Sequence, residues 1–144
     1  MTGPAAGPAG AAASPSDEQL AIGQVLARYC LYLDRQDIDG WVGLFTSDGV
    51  YEVYGRTWEG HDGLRAMAEA APPGLHLGGV PVIELTGPGR ATAHRNLLFV
   101  PLDDQPHRRA LYTDDLVKTD AGWRIRRCRC QFLTAAGLAD RPDR

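Results

Sequence analysis

The chain has 144 residues, enough for one domain with one core, with 44% hydrophobic and 23% charged residues. Its formal net charge of −3 gives no support to a nucleic-acid-binding face. No apolar run approaches the ~20 residues that span a bilayer.

Residues 1–15, rich in Ala, Gly and Pro, lack the apolar mass to offset ordering entropy and read as a disordered tail. They also lack the basic start and apolar stretch of a signal peptide, so the expected compartment is the cytoplasm. Order is expected from Ser16, where Ser16 and Gln19 have the spacing of a capping box. A helix follows, with Ile22, Leu26, Tyr29 and Leu33 on one face and Val25 and Cys30 beside them. Asp34 stands one turn beyond Cys30 and falls at the edge of that buried face. A second short helix carries Trp41, Leu44 and Phe45, and Ser47-Asp48-Gly49 forms a turn.

Val50–Tyr54 reads as a strand and His61–Ala71 as a third helix, closed by Pro72-Pro73. Four strand-like runs complete the domain: His76–Leu85, Ala91–Leu102, Arg109–Thr119 and Trp123–Leu133. Their linkers are short enough for hairpins. Helices first and strands after give an α+β fold, a cone-shaped curved antiparallel sheet packed against three N-terminal helices and enclosing a pocket. In the last run Trp123 and Ile125 are out of phase with Cys128, Cys130 and Phe132. One extra residue near Arg126-Arg127, a β-bulge, restores a common inward face and bends the strand. The domain is expected over residues 16–134, with a loose tail at 135–144.

Cys30, Cys128 and Cys130 are too few and too oddly spaced for a disulfide framework or a metal site, and read as small buried thiols. No phosphate-binding glycine loop, nucleophile elbow or HExxH motif is present. Nucleophilic catalysis by Cys and His has no local context to support it. His61 and His107 are expected at the surface. His94 shares a strand face with Asn96, Leu98 and Val100, and phase alone leaves two readings open: outward and solvated, or inward and functional. Asp34, if buried, needs a partner. A histidine on the facing sheet would supply one, and the carboxylate would then fix its tautomer for acid/base work. Tyr29, Tyr32, Tyr51, Tyr54, Trp58 and Tyr112 are candidates to line the pocket or to pack the core. The run Arg124, Arg126, Arg127 and Arg129 reads as a solvated or subunit-facing sheet surface.

The series Leu33-Asp34, Asp37, Trp41, Leu44-Phe45-Thr46, Asp48-Gly49 and Tyr51, continuing through Gly60 to Gly122-Trp123-Arg124-Ile125, resembles the SnoaL-like branch of the nuclear-transport-factor-two-like superfamily. The resemblance covers about residues 17–134 and implies the cone-shaped fold, which hosts many activities. His76-Leu77-Gly78-Gly79, followed by His94, Leu97, Val100 and Pro101, is similar to the two histidine strands of the scytalone dehydratase family. That similarity implies that Asp34 orients His94 to move a proton beside a carbonyl, that His76 assists, and that Tyr51 or Tyr54 holds water or the carbonyl. The family's tyrosine before the helix aspartate is Leu33 here, and its later asparagine falls near Tyr112–Asp114.

These readings converge on a cofactor-independent lyase or isomerase, dehydratase-like, acting on a small apolar cyclic carbonyl compound of the kind found in polyketide or steroid metabolism. Asp34, His76 and His94 are its expected catalytic residues, and Tyr29, Tyr51, Tyr54, Asn96 and Tyr112 its substrate contacts. No metal, nucleic acid or membrane is expected as a partner; a homodimer or homotrimer is. Two alternatives stand beside it: a non-catalytic small-molecule-binding or subunit-interaction module, favoured if His94 faces solvent, and a cyclase or epoxide-hydrolase-like enzyme with an activated water.

Overall fold

The first helix, α1 (Pro15–Asp34), starts two residues earlier than the sequence suggested. Ser14, not Ser16, is its N-cap: the Asp17 backbone N–H donates to Ser14 Oγ at 3.1 Å, and the Ser14 N–H donates back to the Asp17 carboxylate at 3.3 Å. Pro15 suits the first helical position, where no N–H is needed and its fixed φ is already helical. In this computed structural model residues 13–143 are described; the tail expected at 1–15 lies outside them except for its last three residues.

A short α2 (Ile38–Val42), capped by Asp37, is followed by β1 (Phe45–Val53), β2 (Arg56–Glu59) and α3 (Gly60–Ala70). Strand β2 was not legible in the sequence. It forms a two-residue hairpin with β1, in which Tyr54 and Gly55 both adopt positive φ, 57° and 69°. Such turns suit the twist of paired strands, but a tyrosine is an unusual residue to occupy one. Next come β3 (Gly74–Gly78), β4 (Val82–Gly87), β5 (Arg90–Pro101), β6 (Arg108–Thr119), β7 (Gly122–Thr134) and β8 (Gly137–Ala139).

The eight strands make one curved, open sheet in the order β2-β1-β7-β6-β5-β3, with β4 also on β5 and β8 on β7. It is mixed rather than wholly antiparallel, because β1 runs parallel to β7. The chain leaves β1 through β2 and α3 before the meander begins, so no hairpin dictates β1's direction. The single run expected over His76–Leu85 is two strands. Pro81 has no N–H to give a ladder, the Gly79 N–H turns to Asn96 O at 2.9 Å, and β3 and β4 lie end to end along the same edge of β5.

The bulge in β7 is present. Asp115 faces Arg127 and Leu116 faces Ile125, leaving Arg126 as the extra residue. Trp123, Ile125, Cys128, Cys130 and Phe132 are thereby all buried. The expected loose tail is partly ordered: β8 pairs with β7 over Phe132–Thr134, closed by a bond from Thr134 Oγ1 to Gly137 O at 2.7 Å. A three-residue strand is too short to show a period of two.

The core between sheet and helices contains one ion pair that the sequence did not announce. Arg95 on β5 and Asp114 on β6 have side chains 2% and 0% exposed. Arg95 Nε donates to Asp114 at 2.9 Å, and the guanidinium carbon lies 4.5 Å and 4.8 Å from the ring centres of Tyr29 and Tyr112. Burial works against the charge on Arg95, but the Asp114 carboxylate outweighs it and holds the guanidinium pKa above its usual value.

Removing one member of such a pair strands the other charge. Asp114→Asn is expected to cost about 3–5 kcal/mol of stability, and the double substitution Arg95→Met with Asp114→Leu less than either single change. Urea unfolding of the three variants measures this; additive losses would refute the coupling.

Candidate active site

Asp34 and His76 are brought together by the end of α1 and the edge strand β3. The Asp34 carboxylate accepts the His76 backbone N–H at 3.0 and 3.1 Å and meets the ring Nδ1 at 2.6 Å. Their side chains are 17% and 13% exposed. An ionised carboxylate only accepts, so Nδ1 carries the proton and Nε2 is left as the basic nitrogen. Burial is the largest influence on His76 and lowers its pKa below the ordinary 6.5, against the opposing pull of Asp34; buried Arg95 adds to the lowering. The contact is therefore a neutral imidazole oriented by a carboxylate rather than a salt bridge.

His76 opens onto a cavity of about 440 Å³ between the concave sheet and α3. That size is typical of a small-molecule site. Its wall is mostly apolar, with Met67, Leu97, Phe99 and Phe132 among the lining residues, and the His76 ring packs 4.6 Å from the Phe99 ring.

Of the residues expected to contact substrate, Tyr51, Tyr54 and Tyr112 line this cavity. Tyr29 does not: it is fully buried behind them, and its hydroxyl donates to Tyr51 Oη at 2.8 Å. Tyr51 and Tyr112 hydroxyls meet at 3.2 Å. Burial pushes all three tyrosines well above the usual phenol pKa, so they stay protonated. Three hydroxyl protons and two mutual contacts leave one proton free to be donated elsewhere.

The expected convergence of His94 on this site is corrected. His94 and Asn96 are exposed on the opposite face of β5, whose inward residues are Ala91, Ala93, Arg95, Leu97 and Phe99. Phase alone left the face open; the buried Arg95 on the inward face is tolerated because its partner Asp114, one strand away, removes the penalty. His61 and His107 are at the surface as expected. The three cysteines are free and buried, and burial raises the pKa of the Cys130 thiol to about 11, so this cavity-lining sulfur is a poor nucleophile at neutral pH. Among the described residues no three His, Cys, Asp or Glu side chains are placed to share a metal ion.

Three charged lining residues have no counterpart among the sequence expectations: Arg56 on β2, Arg108 at the start of β6, and Arg141 just beyond β8. Each reaches the cavity through an element boundary that the sequence blurred: an unpredicted hairpin, a strand end and a supposed tail.

A protein of unknown function from Mycobacterium tuberculosis has a similar structure, with 33% identity, TM-score 0.74, and coverage of 83% of this chain and 76% of that one. A Novosphingobium aromaticivorans protein provisionally assigned as a scytalone dehydratase shares 19% identity at TM-score 0.73, covering 88% and 89% of the two chains. The hexachlorocyclohexane dehydrochlorinase of Novosphingobium barchaimii shares 14% at TM-score 0.71, covering 79% and 85%. At those identities the last two likenesses speak to the fold. No curated protein sequence matches the chain. The family model of the SnoaL-like domain matches residues 15–129, and with the cone-shaped fold in place the chain belongs to the SnoaL-like family of the nuclear-transport-factor-two-like superfamily.

Proposed function

We propose that the cavity is the active site of a cofactor-independent lyase or isomerase, in which His76, oriented by Asp34, takes a proton from a carbon beside a carbonyl. The observation that carries this reading is the 2.6 Å contact from Asp34 to Nδ1, which frees Nε2 of a part-buried, cavity-lining imidazole. A base with a lowered pKa is unprotonated at neutral pH and ready to act. The spare proton of the Tyr51–Tyr112 pair would then stabilise the developing enolate oxygen, and loss of a β-hydroxyl as water would complete a dehydration. Two structural neighbours bear the names of elimination enzymes, which supports this class of chemistry.

His94 has no part in this scheme. Its exposure favours a second reading, a non-catalytic module that binds a small apolar ring compound. The outer face that carries His94 also exposes Leu75, Leu77 and Leu133, which supports assembly into a homodimer or homotrimer through that surface.

Hydrogen–deuterium exchange into a panel of cyclic hydroxy-ketones decides between catalysis and binding. His76→Ala is expected to slow exchange by about 10²–10⁴-fold, and Asp34→Asn to slow it through loss of the tautomer, while His94→Ala leaves it unchanged. Exchange that survives loss of His76 would sink the acid/base proposal and leave the binding module.

The pH profile carries a separate signature. Because His76 resists protonation, kcat/KM should stay flat through neutrality and fall on the acid side with a midpoint below 6.5. A midpoint at or above that value would exclude this imidazole as the base. The same shift makes the unfolded chain the better proton acceptor, so stability should also decline as pH drops below 6.5.

A further inference from the structure

The cavity has a chemical asymmetry that the acid/base scheme does not use. Its lining includes three arginines, Arg56, Arg108 and Arg141, and no aspartate or glutamate. Among the described residues none of the three has a carboxylate within salt-bridge reach, whereas Arg65, Arg95, Arg127 and Arg129 all do. Glu52 and Asp140 line a smaller adjoining hollow that Arg56 also borders; neither is within salt-bridge reach of Arg56, and Glu52 is already held by Arg127 and Arg129.

Two of the three guanidinium groups, those of Arg56 and Arg108, lie over aromatic faces. Arg56 lies 3.7 Å from the centre of the Trp58 ring, and Arg108 lies 5.7 Å and 5.6 Å from those of Tyr54 and Phe99. Arg108 also donates to Gln105 Oε1 at 3.2 Å, a neutral partner that leaves the charge uncompensated. A guanidinium that rests on a ring can still offer N–H groups to a planar anion. Phe99 stands between the two ends of the cavity: its centre is 4.6 Å from that of His76 and 5.6 Å from the Arg108 guanidinium carbon, which caps the His76–Arg108 separation at about 10 Å.

We infer that the natural ligand of this cavity is an amphipathic carboxylate, a ring body seated on the apolar wall beside His76 with its anionic group held by Arg56, Arg108 and Arg141. The inference rests on the reading of the cavity as the substrate site, and it replaces a purely apolar ligand by a cyclic acid. An apolar wall with an uncompensated cationic end discriminates among ring compounds by charge. Anchoring the anion at one end fixes which ring carbon meets Nε2 at the other, an orienting effect on the reaction.

The test measures binding, not turnover. The full chain is titrated with 2-naphthoate and with the neutral, near-isosteric 2-naphthamide, read by quenching of Trp58, with Trp58→Phe identifying that signal. Naphthoate should bind about tenfold or more tightly than the amide, and the advantage should shrink as salt is raised. Arg108→Gln, Arg56→Gln and Arg141→Gln should each erode the naphthoate advantage while the amide's affinity stays as it was; the amide thus reports that each variant is folded. Equal affinities for the two ligands, binding of neither, or a preference untouched by all three substitutions would overturn the inference. His76→Ala should keep the preference for the acid. In the unsubstituted chain, a preference for the acid with no proton exchange would refute the catalytic proposal alone, and exchange without preference would refute this one alone.

Discussion

The pairing of Arg95 with Asp114 settles which way the central strand faces. With both side chains sealed between sheet and helices, β5 has no freedom to turn over: a shift of one residue would bring His94 inward and leave Asp114 alone in the core. The ion pair also underlies the tyrosines, since its guanidinium sits against Tyr29 and Tyr112. Tyr29 in turn reaches Tyr51, so the back of the cavity is one continuous polar seam in an apolar core. Burial first, and the Arg95 charge to a smaller degree, favour the neutral imidazole of His76, which links this structural pair to the front of the cavity.

The architecture could be read from the chain because its signals are local. The spacing of Ile22, Leu26 and Tyr29 gives α1, and the phase slip between Ile125 and Cys128 gives the bulge at Arg126. Asp34 was recognisable as a carboxylate in need of a partner from its place on the helix alone. Which histidine met it was not, because the choice between His76 and His94 depends on β5 phase, and that phase depends on a contact between strands nineteen positions apart. The apolar alternation of Ala91, Ala93, Leu97 and Phe99 was visible, yet Arg95 interrupted it, and a lone arginine weighs against burial unless its counter-ion is known. Likewise the hairpin at Tyr54-Gly55 and the three residues of β8 have too little pattern to be seen, and with them went the arginines they deliver.

The cavity thus differs in character along its length. A neutral imidazole and a protonated tyrosine cluster stand on one side, and permanent positive charge on the other. The wall between them is mostly apolar. The same fold in other members of the superfamily surrounds other chemistry, and it is the side chains at strand ends and turns, not the sheet itself, that differ most readily.

The last strand gives this arrangement a further property. Arg141 is attached through β8, which holds to the edge of the sheet by three residue pairs and a turn. Segments with so few contacts open locally well before a domain unfolds. Part of the cavity wall is therefore made by a lightly held piece of the domain, and a ligand that engages Arg141 would help to hold that piece in place. Occupancy and terminal order become two faces of one equilibrium: the fuller the cavity, the more slowly the end of the chain exchanges its amide hydrogens and the less a protease can reach it.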